Sequence, residues 1–326
     1  MIRIPSSPPH IPLLPSYEKQ PLWSVMIPVY NCIQYLEETL KSVLIQNIPE
    51  QEMQIEVIDD ASTDANVETF VNNIARGRIK YFRQTTNVGS IRNFETCINR
   101  SVGKLVHILH GDDRVKDGYY KNIGDLFYVN SEAGAAFCRY AYINEKGDQI
   151  DIQPAESNEK GILKNGLLLI AEKQRIQYAA ITVRREVYEK LGGFYGLTYA
   201  EDWEMWTRIA KYYPVAYTPE ILAEYRKHTQ SISGAKFLNG EYLQDINKAM
   251  VMIQTHLPAK EKKEVLRKSK KFYSRYALVT ANQHWKVWHN EKIVRSNIIA
   301  GLKMQTNFSN LFRTAKIYLK ILLRRN

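Results

Sequence analysis

Apolar and polar positions fall into alternating blocks along the first 130 residues. Residues 23–29 form an apolar run that reads as a buried strand, although Pro28 cannot donate a ladder bond. Leu36, Leu40, Val43 and Leu44 follow helical spacing and predict a helix from about Ile33 to Gln46. A second strand is expected at 54–58. Val67, Phe70, Val71 and Ile74 sit at i, i+3, i+4 and i+7 and predict a second helix, which Asp64 would cap. A short strand from Ile79 to Phe82, a polar turn at Asn87-Val88-Gly89, a helix with Phe94, Cys97 and Ile98 on one face, and a strand at 104–109 complete the series. Strands alternating with helices at this spacing predict a doubly wound, mostly parallel α/β sheet of Rossmann-like, nucleotide-binding type.

Beyond residue 130 the order is mixed. A strand is expected from Ala135 to Asn144, a polar loop over 145–160, a helix over 163–171 and a strand from Gln177 to Val183. The helix that follows ends at Gly192-Gly193, a C-cap signal. Glu201 to Tyr212 reads as a helix with Trp203, Trp206, Ile209 and Ala210 inward. From about 236 the pattern is helical throughout. Three regions result: a proline-rich extended arm over 1–20, an α/β domain over 21–235, and a helical region over 236–326.

Charge separates the last region from the rest. Residues 236–326 carry 19 Lys/Arg against 5 Asp/Glu, a net of +14, whereas the remainder carries 26 against 29, a net of −3. A tail of this kind meets anionic lipid, nucleic acid or an acidic partner, or is simply a solvated helical surface. The slightly acidic remainder and the lack of a recognition module argue against nucleic acid. Cys32, Cys97 and Cys138 have no Cys-x-x-Cys spacing, which argues for a reducing compartment and against a thiolate zinc site. No signal peptide and no run of roughly 18 apolar residues is seen. The expectation is a cytoplasmic protein, soluble or peripheral on the inner face of a membrane.

The chemistry concentrates at strand ends. Asp59-Asp60-Ala61-Ser62-Thr63-Asp64 closes the second strand and Asp112-Asp113 follows the fourth. In open α/β sheets ligands bind at the carboxyl edge. Carboxylates there accept hydrogen bonds from a nucleoside or share a divalent cation, Mg²⁺ or Mn²⁺ for oxygen ligands. As alternatives, Asp59 and Asp60 would serve as a helix cap, and Glu201 and Asp202 would cap the helix carrying Trp203.

Six segments taken together, residues 25–31, 57–64, 87–93, 109–113, Glu201-Asp202-Trp203 and Arg226-Lys227-His228, resemble the family 2 glycosyltransferases over residues 20–235. The resemblance implies a GT-A-type, doubly wound mixed sheet with a helical C-terminal extension. It implies inverting transfer from a nucleotide-diphosphate sugar, a UDP-sugar foremost, to an acceptor hydroxyl. It implicates Pro28, Tyr30, Asn31, Asp59, Asp60, Asn87 and Arg92 in holding the nucleotide, with a surface ion pair as the alternative for Arg92. Asp112 would be the metal ligand on the diphosphate, with Asp113 beside it, and His228 a third ligand or a phosphate contact. Asp202 would be the general base, with Glu201 the alternative. One departure stands out: His110 occupies the place of the family motif's first aspartate. A neutral imidazole there suits Mn²⁺ better than Mg²⁺, and a structural role for His110 is the competing reading. A domain that has lost catalysis and only binds a nucleotide sugar or glycan is the alternative function. A nucleotidyltransferase is disfavoured, because residues 28–31 replace a Gly-rich phosphate loop.

The tail helix adds a partner. Phe308, Leu311, Phe312, Ala315, Leu319 and Leu322 recur at helical spacing beside Arg313, Lys316 and Lys320. Such a helix would lie on an anionic membrane, near a glycan or lipid-linked acceptor. Ile317 and Ile321 fall on the other side, which leaves packing on the domain or in a homo-oligomer open.

Overall fold

The computed structural model describes residues 2–15 and 20–324. The chain forms two compact units. The first runs through Gly166 and resumes over Arg175–Lys227; the second comprises Leu167–Gln174 and the chain from His228 onward.

In the first unit β1 (Trp23–Val29), α1 (Ile33–Leu44), β2 (Met53–Asp59), α2 (Val67–Ala75), β3 (Lys80–Arg83), α3 (Ser90–Arg100) and β4 (Leu105–Ile108) alternate. There follow β5 (Arg114–Val115), α4 (Tyr119–Val129), β6 (Ala135–Ile143), β7 (Gln149–Ile152) and β8 (Gly161–Ile162). Helix α5 (Gly166–Glu172) lies almost wholly in the second unit. A 3₁₀ turn (Tyr178–Ala180), β9 (Ile181–Arg184), α6 (Arg185–Leu191), α7 (Glu201–Tyr212) and β10 (Val215–Arg226) complete the first.

The strands form one sheet in the order β3-β2-β1-β4-β9-β6-β10-β5, with β7 on β6 and β8 on β10. The first four are parallel, β9 is antiparallel to both neighbours, and β10 runs parallel to β6. All seven residues of β1 are buried, as a central parallel strand covered on both faces requires. One layer of core joins Val25, Ile27 and Val57 to Leu36, Leu40 and Val43 of α1, Val71 of α2 and Ile123 of α4. Each such side chain contributes roughly 1.5–3 kcal/mol on burial.

Three departures from the sequence pattern have local causes. The longest strand, β10, carries Pro219 and Glu220 in its middle and bulges against β6 between Thr218 and Ile221. That break hides it from a reading by periodicity. The polar stretch 145–160 contains β7, three of whose four residues are exposed. Asp64 does not cap α2: Asn66 does, accepting from the Thr69 amide, while Asp64 accepts from the amide of Ile33 at the start of α1 (3.0 Å).

The second unit is helical: α8 (Ile232–Asn239), α9 (Tyr242–Gln254), α10 (Ala259–Trp288), α11 (Glu291–Met304) and α12 (Phe308–Leu322). Ile317 of α12 packs with Leu278, Ala281, Trp285, Val294 and Ile298. Phe308, Leu311, Phe312, Leu319 and Leu322 remain exposed. Ile317 and its neighbour Ile321 thus form the packing face, and the regular stripe is the outer one. A groove of about 740 Å³ on α9, α10 and α11 is lined by Lys270, Lys292, Arg295 and Lys303. Among the described residues no helix is long and apolar enough to cross a membrane.

Candidate active site

The strand order reverses at β1 and β4. Chain leaving β1 turns through α1 to one side of the sheet, and chain leaving β3 crosses through α3 to the other. The crevice beyond the carboxyl ends of these two strands is the topological switch point. There the Gly111 amide donates to the Pro28 carbonyl (3.1 Å) and the Asp60 amide to the Val29 carbonyl (2.8 Å), so the loops after β2 and β4 flank the end of β1. Gly111 is required by that approach: a Cβ there would sit 2.9 Å from Cys32 Sγ and from Val29 Cγ2. Tyr30 is half-exposed at the crevice. Asn31, with φ of 48°, ties two loops together: its amide donates to Ser62 Oγ (3.0 Å) and its Oδ1 accepts from the Thr63 amide (2.8 Å).

Asp59 and Asp60 have different tasks, as expected where successive residues leave a strand on opposite sides. The Asp59 carboxylate is fully buried and turned to β3, accepting from Tyr81 Oη (2.7 Å), from Arg83 and from the Ser62 amide (2.8 Å). It anchors the loop. The Asp60 carboxylate accepts from the amides of Val88 (2.7 Å) and Gly89 (2.9 Å) and from Asn87 Nδ2 (2.9 Å). Burial pushes its pKa up while those two amides pull it down. Asp60 and Asn87 therefore shape one wall of the crevice jointly. The Arg92 guanidinium is occupied by the Ile2 carbonyl (2.9 Å) and by Glu95 (2.5 Å). It contacts the N-terminal arm, which sequence reasoning did not anticipate.

The turn after β4 gathers the metal-ligating chemistry. One ligand atom from each of His110, Asp112 and Asp113 lies within 4.8 Å of the others. His110 Nε2 and Asp113 Oδ2 are buried with no hydrogen-bond partner. Burial holds the His110 imidazole below its ordinary pKa, with the neighbouring Asp112 opposing the shift. Burial, and then Asp112, push Asp113 well above the usual carboxylate range. A divalent cation would reverse both penalties. Two carboxylates with a neutral imidazole suit a borderline ion such as Mn²⁺ better than Mg²⁺. The residues present therefore fit the expected metal, with His110 in the donor set. His228, expected as a third ligand, belongs to the second unit.

Arg226 holds this turn. Its side chain is fully buried; its Nε donates to the Asp112 carbonyl (2.8 Å), its amide to Asp113 Oδ1 (2.9 Å) and its Nη2 to Glu38 (2.7 Å). Sequence reasoning read it only as the head of the Arg-Lys-His segment.

Glu201 and Asp202 open α7, where free amides and the helix dipole favour carboxylates. Asp202 Oδ1 accepts from the Trp203 amide (2.7 Å), and Glu201 Oε1 accepts from Tyr178 Oη (3.1 Å). The Tyr178 ring lies 4.5 Å from the His110 ring and 5.6 Å from Trp206, centroid to centroid. Phe94 stacks on His110 at 5.1 Å. Tyr178 thus connects the metal-ligating turn to the acidic start of α7. It went unnoticed in sequence because it stands in an apolar run, where aromatic residues are ordinary core.

Comparison with known proteins bears on the family and the fold. The profile described as glycosyl transferase family 2 matches residues 24–192. An uncharacterized glycosyltransferase of Mycoplasma genitalium is 32% identical over 126 residues, 38% of this chain and 41% of that protein. The chain thus spans under half the length of that relative. A putative teichuronic acid biosynthesis glycosyltransferase, TuaG of Bacillus subtilis, is 29% identical over 231 residues, 67% of this chain and 84% of that one. Among solved structures, S. aureus TarS in complex with UDP-GlcNAc superposes with a TM-score of 0.63 at 18% identity, over 85% of this chain and 79% of that chain. The mannosyltransferase PcManGT from Pyrobaculum calidifontis, in complex with GDP-Man and Mn²⁺, superposes with a TM-score of 0.57 at 16% identity, over 99% of this chain and 91% of that one. These two likenesses establish a shared GT-A fold. With the family profile covering more than half of the chain, and the sheet and its switch point built accordingly, this protein belongs to glycosyl transferase family 2.

Proposed function

We propose that the chain is an inverting glycosyltransferase that moves a sugar from a nucleotide-diphosphate sugar, a UDP-sugar foremost, to an acceptor hydroxyl of a surface polysaccharide or lipid-linked glycan. The observation that carries this reading is the pair of orphaned buried ligand atoms, His110 Nε2 and Asp113 Oδ2, gathered with Asp112 at the switch point and joined through Tyr178 to Glu201. An ion held by His110, Asp112 and Asp113 would supply positive charge to the departing diphosphate. Asp202 is the proposed base: it takes the proton of the acceptor hydroxyl as that oxygen bonds to the anomeric carbon. The bond from that carbon to the diphosphate oxygen breaks on the opposite face, which inverts the centre. Glu201, held by Tyr178, is the alternative base. The wall made by Asp60, Asn87 and Gly89, together with Tyr30 and Asn31 at the end of β1, is where a nucleoside would lie.

The relatives support the donor and the metal: the TarS structure holds UDP-GlcNAc, and the PcManGT structure holds GDP-Man with Mn²⁺. The name of TuaG supports a polysaccharide acceptor. The exposed stripe of α12, flanked by Lys316 and Lys320, together with the basic groove, supports peripheral attachment to an anionic membrane.

The test is release of nucleoside diphosphate from a panel of nucleotide sugars, with and without Mn²⁺. Mn²⁺-dependent release that Asp202→Asn lowers by ~10²-fold or more supports the reading. Binding of a nucleotide sugar without release by the wild-type protein would leave a catalytically inactive nucleotide-sugar-binding relative instead.

A further inference from the structure

The proline-rich arm is built into the first unit. Pro5 is buried and Ile11 is fully buried. The amides of Gly196 and Gly193 donate to the carbonyls of Pro5 (2.9 Å) and Pro9 (3.0 Å), and Arg185 donates to that of Pro12 (3.1 Å). The receiving loop is shaped for it. A Cβ at Gly192 would sit 2.8 Å from Pro8 Cβ and from the Pro9 carbonyl oxygen, and one at Gly193 would sit 3.1 Å from Pro9 Cγ. Glycine at these positions, which the sequence offers as a helix end, admits the arm's backbone.

The tip of the arm reaches the segment from Asn87 to Arg92. The Ile2 carbonyl takes the Arg92 Nε–H, and the Arg3 guanidinium donates to Asn87 Oδ1. A Cβ at Gly89 would lie 3.0 Å from Arg3 Nε, so the guanidinium is seated on the glycine. Asn87 in turn gives its Nδ2 to Asp60. Arg3 is also a cation close enough to favour the Asp60 carboxylate. One stretch of eleven residues, 2–12, therefore connects two segments: 87–92, beside the proposed nucleoside wall, and 192–196, which leads into Glu201 and Asp202.

We propose that this arm is a fixed strap of the donor site and that Arg3 is its positioning residue. Through Asn87 and Gly89 it holds the wall on which a nucleoside rests. The depth of the Pro5 and Ile11 anchors makes the arm a permanent part of the site. The proposal rests on the donor-site reading given above.

The experiment uses the full chain. Calorimetric titration with UDP and with GDP, each with Mn²⁺, is paired with hydrogen exchange at the Gly193 and Gly196 amides, which report whether the arm is docked. Arg3→Ala is expected to weaken nucleotide binding ~10-fold, the scale of one charge-assisted hydrogen bond. Arg3→Lys should recover part of that loss, since it keeps the charge and loses the fork. Protection at both glycines should stay at the wild-type level. Wild-type affinity in Arg3→Ala would overturn the proposal and leave the donor site standing. Lost affinity with lost protection would also overturn it, because Arg3 would then be a folding contact. If the wild-type chain binds neither nucleotide, the donor-site reading falls and the strap's role falls with it.

Discussion

Replacing Tyr178 by Phe removes a single oxygen at the junction between the metal-ligating turn and the acidic helix start. The ring keeps its place: its contacts with His110 at 4.5 Å, Phe94 at 5.1 Å and Trp206 at 5.6 Å do not involve the hydroxyl. What is lost is the bond from Tyr178 Oη to Glu201 Oε1, 3.1 Å long, between residues 5% and 8% exposed. Water is not at hand to replace it. A hydrogen bond to a carboxylate in such surroundings contributes about 1.5–3 kcal/mol, which corresponds to ~10- to 150-fold in rate if the bond is needed in the transition state. The assay is single-turnover transfer at saturating donor and Mn²⁺, with Mn²⁺ affinity measured in parallel. Because the His110 contact survives, the expectation is a slower rate in that range with Mn²⁺ affinity changed less than about threefold. A rate within twofold of wild type would show that the Tyr178–Glu201 bond is idle. An equal fall in Mn²⁺ affinity would show that Tyr178 acts through His110 instead.

Other outcomes follow from the same geometry. His110→Asp exchanges the imidazole for a carboxylate and should reduce the preference for Mn²⁺ over Mg²⁺ by roughly tenfold; an unchanged preference would remove His110 from the ligand set. Leu311→Glu with Phe312→Glu should lower co-sedimentation with anionic vesicles and leave the thermal midpoint in place, since both side chains are about half exposed. Equal sedimentation would dismiss α12 as the membrane contact. Burial pushes His107, which contacts Tyr120 Oη and the Ala179 carbonyl, down to about 3. The unfolded chain takes up this proton near pH 6.5 and the folded chain does not, so stability present above that pH is lost below it. Between pH 7.5 and 5 the loss is about 2 kcal/mol. Urea midpoints for wild type and His107→Phe at both pH values should differ by that pH-dependent amount, and matching slopes would refute the assignment.

The order of strands and helices through β4 was legible in the chain because each element there carries its own apolar period. The carboxylates at its edge were legible for the same reason: where a buried run stops, the next polar side chain stands at the end of a strand. The acidic start of α7 belongs to this class. Burial partners and hydrogen-bond partners are another matter, since they come from far along the chain. Asp59 turns to Tyr81 and Arg83, Asp60 to the amides of Val88 and Gly89, and Asp64 to α1. Adjacent carboxylates that look alike in sequence therefore have unlike tasks. Strand β10 escaped notice because Pro219 interrupts its period, although pairing with β6 on both sides of the bulge holds it in the sheet. The sequence left His110 between a metal ligand and a structural residue, and only the fold showed its Nε2 buried without a partner beside Asp112 and Asp113; the arm acquired a role only when Gly89, Gly192 and Gly193 let it pass. Local pattern determined which elements form and where their polar ends lie. Tertiary structure decided which of those ends meet, because desolvation and hydrogen bonding depend on neighbours that the chain brings together only on folding.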